Sequence, residues 1–180
     1  MKKNNKKFNL FRLTATAILS AAALSISFAE KMLMAALPLP MGIKPGFSNI
    51  LVMFSCRTMG IIPSLGIALV KAVFSALMSG TVSGIISFTG GLFSVTSMYL
   101  LQKIPSDKLS YTGISVISSV MHNLGQLAAA SVIAGSSLFI SYSPVLLVSG
   151  TVFGIVTGII FNQTMPYLTK LKIFDFEKFK

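Results

Sequence analysis

The chain has 180 residues, of which 53% are hydrophobic and only 11% charged. A soluble domain carries about 25% charged residues, so an ordinary soluble fold is excluded, and the length suits one domain. Fifteen Lys and Arg oppose four Asp and Glu, a net charge of +11, but no interleaving of aromatic and basic residues supports nucleic-acid binding; the bases fit membrane orientation and anionic headgroups instead.

The N-terminal MKKNNKK, the apolar run after it and Ser27-Phe28-Ala29 have the form of a signal peptide with a small-x-small cleavage site. Because the rest of the chain is also membrane-embedded, this stretch reads as a first membrane helix that starts in the cytoplasm. Residues 72–102 and 109–169 contain no Asp, Glu, Lys or Arg. The second stretch far exceeds the about 20 residues of a spanning helix and must fold back.

Six apolar segments follow, at 11–35, 48–62, 64–79, 84–102, 111–134 and 143–168. The breakers between them are LPLPMGIKPG (37–46), Pro63, SGTVSG (79–84), QKIPSDKLS (102–110) and GSSLFISYSP (135–144). Segments two and three are short, so a re-entrant pair over 48–79 stays open beside two full spans. The expected fold is an all-α integral membrane bundle of six transmembrane helices over 11–168, with basic tails at 1–10 and 169–180.

With both termini cytoplasmic, twelve of the fifteen bases fall inside, Lys31 and Lys44 fall outside, and Lys71 lies within a segment. That balance selects the N-in, C-in topology. Lone Cys56 excludes an internal disulfide and has no zinc-ligand companions.

Small residues recur at helical spacing: Ala17, Ala21, Ser25 and Ala29 on the first helix, Gly80 and Gly84, and Gly150, Gly154 and Gly158 on the last. Such ridges allow close helix approach in lipid. They serve packing within the monomer or docking to a membrane partner, for which Ala17, Ala21 and Ser25 are the best placed.

No catalytic constellation emerges. Asp107 and Asp175 are isolated, no DDxxD-like cluster is present to hold magnesium against a diphosphate, and no H-E-x-x-H, G-x-S-x-G or Walker A pattern occurs. Four acids leave little for general acid–base work. The expectation is a protein that is not an enzyme and holds no metal or cofactor.

What remains is polarity at membrane depth. Lys71, flanked by apolar residues, costs about 2.5–3.5 kcal/mol on insertion scales; it either pairs structurally or meets an acidic group on a ligand. Arg57 suits the inner interface. His122 and Gln126 are four apart and share a helix face, with Asn123 about 100° around. One such residue glues helices at about 0.6 kcal/mol; three beside Gly125 favour lining a polar cavity. The loop MGIKPGFSNI gathers Lys44 and Asn49 at the outer end of the second helix, as a tight turn or as the rim of that cavity. Glu30 is expected to pair with Lys31 or Lys44.

Four stretches, GIKPGFSNI, PSLGIALVKAVFSALMSG, FTGGLFSVTSMYLL and GISVISSVMHNLGQL, resemble the Gx transporter family, also described as heptaprenyl diphosphate synthase component I. The resemblance covers about residues 13–168. Gly42, Lys44, Gly46 and Asn49 match the family's loop, whereas Pro45, Phe47 and Ser48 depart from it. The family is similar to the substrate-binding S subunits of energy-coupling-factor transporters.

The resemblance implies six helices, capture of a small solute from outside, and docking through small first-helix residues to a membrane subunit carrying two ATPases, in the bacterial cytoplasmic membrane. Lys44, Asn49, Lys71, His122, Asn123 and Gln126 are then the substrate-binding candidates. The alternative is a non-catalytic membrane accessory to prenyl diphosphate or quinone synthesis, or to a membrane redox complex.

Overall fold

The computed structural model describes residues 2–36, 45–104, 109–135 and 138–170, with side chains between Leu10 and Tyr167 apart from 138–140. The described chain forms six helices: α1 (Lys2–Ala35), α2 (Ser48–Met59), α3 (Ile61–Ser79), α4 (Thr81–Leu101), α5 (Tyr111–Ala134) and α6 (Leu138–Lys170). Helix is what a bilayer demands, since backbone groups there must be satisfied within the segment. The hydroxyls follow the same rule: Thr14, Thr16, Ser20 and Ser25 of α1 each donate to the carbonyl four residues back, at 2.7–3.1 Å.

The breaks are local. Gly60 (φ +89°) and Gly80 (φ +90°) each reverse the chain in a single residue. A Cβ at either would touch nothing within 4 Å, so the backbone angle alone selects glycine there. Ser110 caps α5, its Oγ accepting from the Gly113 amide at 3.1 Å, and left-handed Gly135 ends it.

Two prolines therefore play other parts than expected. Pro63 does not separate α2 from α3; it occupies the first turn of α3, where its missing N–H has no helical partner to lose. Pro144 is not a breaker either, and with Pro166 lies inside α6. Of SGTVSG, Gly80 alone interrupts the helices. Gly84 packs on α3, where an added Cβ would meet Ala76 Cβ at 2.6 Å, so Gly80 and Gly84 do not form one packing ridge.

Five helices are long and apolar enough to cross a membrane, over 10–35, 61–79, 81–101, 111–134 and 141–167. The twelve residues of α2 rise only about 18 Å. They nonetheless form the centre of the bundle: eight are buried, and α2 packs against α1, α3, α4 and α6. Around it α1, α3, α4, α5 and α6 follow as successive neighbours. Large apolar side chains such as Ile62, Leu77 and Val132 face outward at 80–82% exposure, the pattern of a surface made for lipid rather than water.

Helix α1 holds both ends of α2. Near one end, the Glu30 carboxylate accepts from the Ser48 amide (3.3 Å) and hydroxyl (3.5 Å). Near the other, Arg12 Nη2 donates to the Met59 carbonyl at 2.8 Å. The anion thus sits at the N-terminus of α2 and the cation at its C-terminus, as the helix dipole favours by about 0.3–1 kcal/mol each. The Gly60 turn consequently lies at the level of Arg12, near the end of the bundle that also carries Arg57. The chain thus reverses at Gly60 between α2 and α3, of which α3 alone is long and apolar enough to cross a membrane.

The ridge on α6 packs within the monomer. Cβ atoms added at Gly154 and Gly158 would lie 2.6 Å from the Cα atoms of Val116 and Thr112 on α5. Beside them Ser115 and Thr157 hydroxyls share a hydrogen bond of 2.9 Å.

Candidate functional site

The N-terminal half of α2 gathers polar groups from several helices. Gly46 (φ +73°) turns the chain into α2, and the Asn49 amide donates to its carbonyl at 2.9 Å. That geometry points Asn49 at α3, where its Oδ1 accepts from Lys71 Nζ at 2.8 Å. Glu30, buried at 9% exposure, holds Ser48 next door, close enough to Lys71 for mutual attraction. A lysine at this depth is thereby bonded to a neutral amide and faced by a carboxylate, the usual answer to the cost of burying it. Glu30 therefore does not pair with Lys31, whose ammonium donates instead to Ser79 Oγ at the end of α3.

A small cavity of about 10 Å³ opens against this group, lined by Asn49, Lys71, Ser87, Gly91, Ser94 and His122 among others. That is room for about one water. A second cavity of the same size lies on the opposite side of Asn49, lined by Ser115, Ser119 and Thr157. Asn49 thus borders two small cavities, one walled by α3, α4 and His122, the other reaching α5 and α6.

The three polar residues of α5 divide between its two neighbours. His122 and Gln126 press on Gly90 of α4: a Cβ there would lie 2.5 Å from Gln126 Cγ and 3.1 Å from His122 Cε1. Asn123 turns to α6, where its Nδ2 donates to the Leu146 carbonyl at 2.9 Å, over Gly150, whose added Cβ would meet that nitrogen at 2.9 Å. A glycine on each flanking helix makes the space. His122 shares a cavity with Lys71 and Asn49; Asn123 joins helices.

Asn49, Lys71 and His122 are therefore brought together, Gln126 lies beside His122, and Asn123 faces away. Lys44 lies outside the described residues. Ala17, Ala21 and Ser25 lie exposed along one face of α1, and the Ser25 hydroxyl is satisfied by the Ala21 carbonyl. Glu30, Ser48, Ser87 and Ser94 were absent from the sequence-based candidates. Ser87, Gly91 and Ser94 recur at helical spacing on one face of α4, a small-polar ridge legible in the sequence. Among the described residues no group of His, Cys, Asp and Glu could hold a metal ion.

An apolar helical bundle with a buried carboxylate and a partly buried ammonium, amide and imidazole around its central helix defines a multi-pass membrane protein with an internal polar site. Its sequence matches the family model described as heptaprenyl diphosphate synthase component I over residues 19–164, and the chain belongs to that family. No curated protein and no solved structure matched it.

Proposed function

We propose that the chain is a non-catalytic, solute-binding subunit of a bacterial cytoplasmic membrane, working in the manner of an energy-coupling-factor S component. The observation that carries this reading is the polar centre at Glu30, Asn49, Lys71 and His122, drawn from α1, α2, α3 and α5 into an otherwise apolar bundle. Ionisable groups at membrane depth mark solute or ion paths, and this set offers a cation, an anion and neutral hydrogen-bonding groups for a small polar solute. The two cavities beside Asn49 have room for about one water each, so binding includes an opening in which Asn49 exchanges its bond to Lys71 for one to the solute. The exposed Ala17, Ala21 and Ser25 face of α1 is smooth enough for a membrane partner to approach closely.

Native mass spectrometry of the gently purified chain tests this. A retained small molecule is expected on the wild type and lost in Lys71→Ala and His122→Ala, with melting temperature nearly unchanged. Equal loss of folding in those variants would make the polar centre structural and defeat the proposal.

A second reading is favoured by the matched family description, which names one component of a prenyl diphosphate synthase. In it the chain is a membrane accessory that binds or moves a precursor. Co-purification separates the two: ATPase partners support uptake, and prenyltransferase partners support the accessory role.

A further inference from the structure

A third and larger cavity among the described residues belongs to neither the polar centre nor the helix contacts. It lies at the opposite end of α2 from Glu30, about 12 Å along that helix from Asn49, and has a volume of about 450 Å³. That falls in the range of small-molecule pockets, about 300–1,000 Å³. Arg57 and Lys103 stand on its wall with Gln102, and Ile104, Leu109 and Ile114 supply an apolar side. No acid occurs among the described lining residues.

Three features give this wall an electrostatic sense. The Lys103 ammonium stands 4.4 Å from the centre of the Tyr99 ring, which holds the charge in place. The Gln102 Nε2, a donor, is buried and has no hydrogen-bond partner among the described residues; a buried unmet donor is costly and calls for an acceptor. The α5 N-terminus, capped by Ser110, opens on the same cavity and adds partial positive charge.

The geometry points to a binding site for a phosphate-bearing amphiphile. Its head would sit between Arg57 and Lys103 with an oxygen accepting from Gln102, and its chain would lie along Ile104, Leu109 and Ile114. Two cations with no acid among the described lining residues favour an anion, guanidinium suits phosphate oxygens, and Ile104, Leu109 and Ile114 give an apolar wall beside them. A membrane phospholipid and a single-chain phosphate ester share this chemistry.

The test uses the full chain purified in dodecyl maltoside, with dodecyl phosphate and phosphatidylglycerol as probes and phosphatidylcholine and dodecanol as uncharged-headed controls, each read as retained adducts by native mass spectrometry. One anionic adduct is expected per chain, and neither control. Arg57→Gln with Lys103→Gln weakens retention by about tenfold or more, Lys31→Gln at the far end leaves it unchanged, and Arg57→Lys with Lys103→Arg retains it and guards against misfolding. Retention of phosphatidylglycerol assigns the site to membrane lipid; retention of dodecyl phosphate alone assigns it to a single-chain ester. Retention of neither probe, equal retention by the double Gln variant, or equal loss in Lys31→Gln overturns the site.

Discussion

Gly154→Ala adds one methyl group at a close approach of α5 and α6. The new Cβ would lie 2.6 Å from Val116 Cα and 3.2 Å from Ser119 Cβ and Val116 N. Ordinary contact begins near 3.4 Å, so the helices must part by about 0.8 Å, and the atoms in the way are mostly backbone, with no rotamer to move. Overpacking of this kind costs about 1–3 kcal/mol, while alanine regains about 1 kcal/mol of helix propensity over glycine.

Gly66→Ala supplies the matched control. It makes the same chemical change within α3, but its Cβ would meet Thr16 Cγ2 at an unstrained 3.8 Å, so the propensity gain stands alone. The two variants should differ by about 1–3 kcal/mol, or about 2–12 °C in melting temperature for a chain of this size. Buried Cys56, the only thiol, reports unfolding through a thiol-reactive dye on heating. If Gly154→Ala melts at or above Gly66→Ala, the close approach of α5 and α6 is not what holds them together.

Asn123→Leu should cost only about 0.6–1.7 kcal/mol of stability, read as a small drop in melting temperature, because the Leu146 carbonyl keeps its bond from Ser149 Oγ at 3.1 Å; under the proposed function solute retention should survive, whereas Lys71→Ala removes it, and equal loss of solute in both would put Asn123 in the site. In a Cys56→Ser background, Ser79→Cys should react with an impermeant maleimide on intact cells and Lys103→Cys only after permeabilisation. The reverse pattern would invert the N-in, C-in topology.

The helices were legible because apolar runs and their interruptions obey length rules that lipid enforces. The interruptions themselves were harder to place. Proline is the stronger helix breaker in water, yet the turn between α2 and α3 falls on Gly60, since a one-residue reversal needs positive φ and Pro63 can sit harmlessly in a first turn. Lys71 and Asn49 each stood out as polar residues at depth, but their bond joins positions 22 apart in sequence, and nothing in local spacing announces it. Glu30 misled for a related reason: neighbouring Lys31 offered the obvious partner, and the orphan amide of Ser48, exposed only by the start of α2, took the carboxylate. His122, Asn123 and Gln126 read as one stripe because helical spacing gives angles without saying which neighbour stands at each angle.

The short central helix bears on how the protein is made. Twelve residues carrying Asn49, Arg57 and three hydroxyls are too few and too polar for the translocon to release into lipid alone. Insertion of α2 must await α3 as the other arm of a hairpin, with α1 already in place to receive it through Arg12 and Glu30. Biogenesis is thereby ordered by the first helix, and loss of Arg12 or Glu30 would be felt during synthesis.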